Sequence, residues 1–125
     1  MDKSLILKTF NTHIIEFMDD IITVFPRELE LLTSRTFIQG ILKVKKKLVI
    51  EYWYKYVYLL YKEEIDVGNF DYFLNKDYNK DTEDNNILNG IEKMRTKIKE
   101  LSEGNKEKSI EYVKNLSKLS NIYLN

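Results

Sequence analysis

Residues 4–24 read SLILKTFNTHIIEFMDDIITV, and the spacing of the apolar side chains in this segment indicates the class of fold. The apolar residues recur at steps of three and four, which is the repeat of one face of an α-helix, and polar residues fill the opposite side. The segment predicts an amphipathic helix of about six turns, ended at Phe25-Pro26 because a residue before proline avoids the helical conformation. The expected buried stripe is Leu7, Phe10, Ile14, Phe17, Met18, Ile21 and Phe25.

A second helix is predicted over residues 28–44, directly after this proline. Pro26 suits the first turn of a helix, where its missing N–H group is not needed. Gly40 lies inside the helix, where it costs about 1 kcal/mol relative to alanine, and a close approach of another backbone is one explanation for it. The expected buried stripe is Leu29, Leu32, Phe37, Ile41 and Val44.

The segment from Leu48 to Tyr61 admits two interpretations. Tyrosines alternate at positions 52, 54, 56 and 58, as they would in a β-strand. The run is, however, much longer than an ordinary strand of about 5–6 residues, and its polar residues step by three or four along one face. We therefore predict a helix over residues 45–64. The side chains expected to point inward are Val49, Trp53, Tyr56, Val57 and Leu60.

Two further helices are predicted at the C-terminal end of the chain, over residues 86–103 and 107–123. Their apolar residues step by four and three, and Gly104 stands where a C-terminal cap belongs. Together they predict an antiparallel helical hairpin. The expected fold is all-α, a single domain over residues 1–125 that forms a compact bundle of about five helices. The side chains expected to be most buried are Phe17, Ile21, Trp53, Val57, Ile98 and Leu116.

Composition excludes several classes of protein. The 125 residues suffice for one domain, and the absence of cysteine excludes disulfide scaffolds, cysteine zinc sites and thiol chemistry. No apolar run approaches the roughly 20 residues that cross a bilayer, and the first residues lack a signal-peptide core, so we expect an intracellular protein without a membrane anchor. The chain also contains no alanine, which we interpret as a bias of the genome toward A/T-rich codons.

Catalytic and metal-binding motifs are not evident in the sequence. His13 is the single histidine, the glycines are scattered, and the adjacent pair Asp19-Asp20 points to two sides of a helix. We therefore expect no enzyme activity, no cofactor and no metal. The segment Asp77–Glu83 begins like a calcium loop, but Thr82 and Leu88 stand where that loop needs glycine and glutamate. A connecting loop is favoured there, and cation binding is left open.

Two groups of side chains are candidates for binding a partner. Tyr54 and Tyr58 are expected to face outward, because one helix of a small bundle cannot bury all its sides, and tyrosine is enriched at protein interfaces. The second group is a basic cluster beside several aromatic residues. This combination can bind single-stranded nucleic acid, with lysines on the phosphates and aromatic rings on the bases. Because the 20 basic and 20 acidic residues balance, the composition disfavours nucleic acid. The basic cluster is Lys43, Lys45, Lys46 and Lys47.

Seven short segments along the chain belong together: FNTH (10–13), EFMDD (16–20), VFP (24–26), WYKYV (53–57), YK (61–62), FLNKDY (73–78) and YVKNLSKLSN (112–121). They resemble segments of a family of short, uncharacterised proteins from nucleocytoplasmic large DNA viruses of the mimivirus-like kind. The resemblance covers nearly the whole chain and implies an intracellular viral protein, in the virion or in a virus factory of the host cytoplasm. It implies no activity, because that family has no assigned catalytic residues.

The leading hypothesis is therefore a small viral protein that acts by protein–protein contact, with a viral or host protein as its partner. Self-association into a homo-oligomer is left open. The alternative is a nucleic-acid-associated accessory factor that uses the basic cluster and the neighbouring aromatic residues.

Overall fold

The computed structural model describes residues 2–67 and 86–125, which are helical apart from short turns. A π-helical turn, Tyr54–Tyr58, joins the third and fourth segments, so residues 48–67 form one interrupted helix and the described chain contains five helices in all. The prediction of an all-α bundle is confirmed. The segment Asp77–Glu83 lies outside the described residues. The elements are α1 (Lys3–Val24), α2 (Leu29–Val44), α3 (Leu48–Trp53), α4 (Leu59–Val67), α5 (Asn86–Lys99) and α6 (Glu103–Leu124).

Helix α1 begins and ends close to where the sequence predicts. The Asp2 side chain caps it by accepting a hydrogen bond from the Ser4 N–H group at 2.9 Å. After the helix, the Phe25 carbonyl accepts from the Glu28 N–H group at 3.2 Å, which closes a tight turn with Pro26 at its second position. The placement of Pro26 in the first turn of α2 was therefore wrong, because the fixed backbone angle of proline serves the turn between the helices.

The buried face of α2 agrees with the predicted one only in part, since Phe37 and Ile41 are partly buried against the core but three other residues of the predicted stripe are exposed. Leu31 and Ile38 are its buried side chains, whereas Leu29 and Val44 are 75% and 81% exposed, and Leu32 is also exposed. The physical reason is that α2 packs mainly on α5, where the Ile38 side chain lies against Gly90. A methyl group added at Gly40 would meet no atom within 4 Å, so no close approach explains this glycine.

The π-helical turn shifts the buried face of the helix that follows it. The Leu59 N–H group donates a hydrogen bond to the carbonyl of Tyr54, five residues earlier. The backbone angles of Tyr61 also depart from those of a helix. Tyr61 is buried, whereas Leu60, which we predicted to point inward, is 48% exposed. Because a π turn holds more residues than an α turn, the side chains beyond it are displaced by one position relative to a regular helix. The buried residues are spaced four apart, at Trp53, Val57, Tyr61 and Ile65.

The two C-terminal helices are joined by a turn at residues 100–102. Ser102 caps α6 by accepting a hydrogen bond from the Asn105 N–H group at 3.5 Å, so Gly104 lies in the first turn of α6. The prediction that Gly104 ends the preceding helix was wrong, because the serine begins a new helix before the glycine is reached. The two helices contact each other less than they contact other helices: α5 packs on α2, and α6 packs on α1.

Ion pairs add to the packing of α2 on α5. Lys93 lies 2.8 Å from Glu30, and Lys97 lies 3.2 Å from Glu28. The hydrogen bond and charge of Lys93 lower the pKa of Glu30, and the hydrogen bond to Glu28 raises the pKa of Lys97. These groups lie at the surface, so the pairs orient α2 more than they stabilise the fold.

The six side chains that the sequence predicts to be most buried all lie in the core. It also contains three serines on α6, at positions 109, 117 and 120. Since the chain has no alanine, serine is the small side chain that lets helices approach here. The Ser117 hydroxyl accepts a hydrogen bond from the buried Trp53 indole at 3.0 Å, and the Ser120 hydroxyl donates to the Ser117 carbonyl at 2.8 Å.

Candidate functional site

A groove of about 720 Å³ lies between α1 and α2. Its apolar lining consists of Leu7, Ile15 and Leu42, which are partly buried and pack against the core. Three exposed lysines, Lys8, Lys43 and Lys46, belong to the same lining. The groove therefore combines an apolar floor with positive charge. The remaining lining residues are Ser4, Asn11, Thr12, Glu16 and Gln39.

The groove exists because α1 and α2 each pack more extensively on another helix than on one another. Two polar contacts nevertheless fix their separation. The Asn11 side-chain amide donates to the Lys46 carbonyl at 3.0 Å, and the Arg35 guanidinium donates to the Asp19 carboxylate. The hydrogen bond to Asp19 raises the pKa of Arg35. These contacts hold α1 and α2 at a fixed distance and leave the space between the two helices unfilled.

The electrostatic character of the groove is positive. Within residues 2–67 and 86–125, none of its three lysines forms an ion pair. Of the described residues, Glu16 is the one carboxylate in the lining, and the His13 ring nitrogen Nδ1 lies 3.6 Å from it. The lysine ammonium groups are thus available to an anionic ligand or partner.

The structure divides the predicted basic cluster. Lys43 and Lys46 line the groove, whereas Lys45 and Lys47 are exposed but lie outside its lining. The aromatic residues that we grouped with the cluster do not line the groove either. The rings of Tyr52 and Tyr56 stack on each other with their centroids 5.5 Å apart, and Lys55 lies over Tyr56.

Tyr54 and Tyr58 lie on the π-helical turn and pack toward the end of α6. Their rings are stacked 5.7 Å apart, and both side chains are half-buried, so each presents only part of its surface to solvent. The Asn125 side chain donates to the Tyr54 hydroxyl at 3.1 Å. Tyr58 also lines a smaller cavity of about 360 Å³ together with Lys118 and Asn121.

A cluster of polar and aromatic side chains links α1 to α6 around Tyr112. The Tyr112 ring stacks on Phe17 at 4.8 Å and lies 4.7 Å from the His13 ring, and its hydroxyl donates to Asp20 at 2.6 Å. Burial, with the hydrogen bond to Asp20, raises the pKa of Tyr112 to about 12. Tyr112 therefore stays neutral at physiological pH. Asp19 and Asp20 serve different neighbours, Arg35 and Tyr112, and do not act as a pair.

Two properties of the described part of the chain bear on other functions. No group of three or more histidine, aspartate or glutamate side chains is arranged to hold a metal ion there. None of the helices described has the length and apolar character to cross a membrane.

Comparison with known proteins gives no match: no protein-family model fits the chain, and neither a curated protein nor a solved structure is significantly similar to it. The resemblance to a giant-virus family therefore stays a prediction.

The sequence indicated Lys43 and Lys46 as members of a candidate basic cluster, but it indicated neither Lys8 nor the apolar floor of the groove. Leu7 appeared in the buried stripe of α1, and Ile15 and Leu42 were assigned to no face. The available signal was the width of the apolar surface on α1, where Ile14 and Ile15 are adjacent and one neighbouring helix cannot cover both. What the sequence does not contain is the separation between α1 and α2, which depends on the packing of each helix elsewhere.

Proposed function

We propose that the protein acts by binding another protein and that the α1–α2 groove is its binding site. The observation that carries this proposal is the apolar floor of Leu7, Ile15 and Leu42 with lysines beside it. In the setting that the family resemblance implies, the partner is a viral or host protein in the virion or the virus factory.

The chemistry of the groove supports this function better than the alternatives. Partly buried leucine and isoleucine side chains gain stabilisation when a partner removes their remaining surface from water, at about 25 cal/mol per Å². The nucleic-acid alternative needs lysines and stacking rings in one site, whereas no aromatic residue from the described ranges lines the groove beside Lys43 and Lys46.

The test uses two threonines of α1 that differ in their position relative to the groove. Thr12 and Thr9 are both exposed, but only Thr12 belongs to the lining. Thr12→Trp places a large ring in the groove without touching the core, and Thr9→Trp adds the same ring elsewhere on the same helix. Each variant and the unchanged chain are used for affinity purification from the cells in which the protein is naturally made.

We expect proteins that copurify with the unchanged chain and with Thr9→Trp to be lost with Thr12→Trp. Far-UV circular dichroism and thermal unfolding must show that both variants fold. Recovery of the same proteins with Thr12→Trp would contradict the groove as the site. A third variant, Tyr54→Ser with Tyr58→Ser, tests the other predicted surface, since loss of partners in that variant alone would move the site to the π-helical turn.

A further inference from the structure

We infer that the element bound in the α1–α2 groove is an acidic amphipathic helix of about three turns. This inference rests on the proposed function, because it names the partner of the same site. It follows from three properties of the groove: its length, its apolar floor and its charge.

The length of the groove matches a short helix. Its lining follows α1 from Ser4 to Glu16, a distance of about 18 Å at 1.5 Å per residue. A partner helix of about 12 residues spans the same distance. The cavity of about 720 Å³ takes the side chains of one face of such a helix, while the rest of the partner stays outside.

The floor and the charges select which side chains that helix carries. Leu7 and Ile15 lie two turns apart on α1, so they offer apolar contact to residues that recur at three- and four-residue steps. Among the lining residues that the structure describes, three lysines outnumber one carboxylate, Glu16, and this favours acidic residues beside that apolar stripe. A basic helix would instead meet Lys8, Lys43 and Lys46 with like charge.

The probe is a capped peptide of about 14 residues with leucines at three- and four-residue steps and glutamates on both sides of that stripe. A second peptide carries lysines in place of the glutamates. A third keeps the composition of the first but places the leucines out of step. Binding to the full chain is measured by fluorescence anisotropy of the labelled peptide at low and high salt.

The protein variants exchange the sign of the charge. One carries Lys8→Glu, Lys43→Glu and Lys46→Glu, which lie at exposed positions of the lining. The matched control carries Lys45→Glu, Lys47→Glu and Lys62→Glu, which have the same change in net charge at exposed positions outside the lining. Because all six side chains are exposed, neither variant disturbs the core.

We expect the acidic peptide to bind the unchanged chain with a Kd on the order of 1–100 μM, as small interfaces do, and more weakly as salt rises. The groove variant should bind it on the order of tenfold more weakly and should gain affinity for the lysine peptide. The control variant should bind the acidic peptide within about threefold of the unchanged chain. The peptide with misplaced leucines should not bind.

Three results would overturn the inference. Equal binding of the acidic and lysine peptides would show a groove without charge selection, and equal losses in both protein variants would show general electrostatic attraction. Failure of the acidic peptide to bind is the third such result. If labelled dodecanoate, a fatty-acid anion, then binds and is displaced by unlabelled dodecanoate, the groove is assigned to a small anionic amphiphile. The proposed function is judged separately, because the comparison of Thr12→Trp with Thr9→Trp depends on the natural partner and not on these peptides.

Discussion

Ser117 and Ser120 occupy positions on α6 that need a small side chain, and each also uses its hydroxyl. Ser117 accepts from the Trp53 indole, which is buried, while Ser120 donates to a carbonyl within its own helix. The two hydroxyls therefore differ in what their removal leaves behind. Only the loss of the Ser117 hydroxyl leaves a buried side-chain donor without its acceptor.

Ser117→Ala is therefore expected to lower the free energy of unfolding by about 1–3 kcal/mol, because the Trp53 N–H group loses its acceptor. Ser120→Ala is the matched control, and it should change stability by less than about 0.5 kcal/mol. Alanine favours the helix, and the Ser117 carbonyl, which loses the serine hydroxyl as a donor, still lies within the backbone hydrogen-bond pattern of α6. Urea unfolding of both variants, followed by tryptophan fluorescence, measures the difference. Equal costs at the two positions would contradict the assigned role of Ser117.

Gly40→Ala is expected to stabilise the protein by about 0.5–1 kcal/mol. The glycine lies inside α2, and an added methyl group meets nothing within 4 Å. Alanine therefore reduces the freedom of the unfolded chain without a steric penalty. Chemical denaturation gives the change directly, and a decrease in stability would contradict the open space beside Gly40.

The interrupted helix over residues 48–67 is the element in which local sequence and tertiary packing disagree most. A regular α-helix advances about 100° per residue, so a four-residue step overshoots by about 40°. Three such steps, from Trp53 to Ile65, would carry the last side chain about 120° away from the core. The π-helical turn and the bend at Tyr61 remove this difference and keep all four side chains buried.

Leu60→Ala and Tyr61→Ala test this shift of phase. Leu60 is about half exposed, so its truncation should cost less than about 1 kcal/mol, whereas truncation of the buried Tyr61 should cost about 3–5 kcal/mol. A helix without the π turn would turn Leu60 inward and reverse the order. Thermal or urea unfolding of the two variants gives the order, and a larger cost at Leu60 would refute the observed phase.

These elements show what the sequence can and cannot predict. The face of α1 was predictable because its apolar residues form one wide stripe with the helical repeat. The face of α2 was not, because Leu29, Leu31 and Leu32 offer apolar groups on several sides and packing on α5 selects among them. The π turn was also not predictable, since no residue type signals it. The boundary between α5 and α6 was ambiguous, because both Ser102 and Gly104 are residues that commonly flank helices. The groove combines both situations: Lys43 and Lys46 belong to the predicted basic cluster, whereas Lys8 and the apolar floor are placed there only by the packing.

On the scale of the whole molecule, α1 is the helix against which most others pack. It contacts α6 most extensively and also contacts α2, α3 and α5. The Tyr112 cluster fastens α6 to it, with the Tyr112 hydroxyl bonded to Asp20 on α1. Since the pKa of Tyr112 in the folded protein is raised to about 12, above its ordinary value of about 10, the folded chain holds this proton more tightly than the unfolded chain does.

Global stability is therefore expected to fall as the pH rises from about 10 to 12, because the unfolded chain loses the Tyr112 proton first. The contribution of this group is complete below about pH 10 and disappears above the folded pKa of about 12. Tyr112→Phe should show a shallower decline over the same window. Urea unfolding across this pH range measures the decline, and absorbance of phenolate measures the titration. Identical slopes for both proteins would contradict the raised pKa.

The π-helical turn has one more consequence, which concerns changes in chain length. The helix over residues 48–67 contains one residue more than a regular α-helix needs to present the same buried face. The π-helical turn thus resembles a one-residue insertion into an α-helix. Deletion of the exposed Lys55 shortens the path from Trp53 to Ile65 so that a regular helix would deviate by only about 20°. We expect that deletion to leave a folded protein with a continuous α-helix, whereas deletion of Thr12 should unfold it by rotating half of α1 by about 100°. Circular dichroism and thermal unfolding of the two deletions compare these outcomes, and equal damage from both would show that the wide turn is required by the fold and is not a surplus residue.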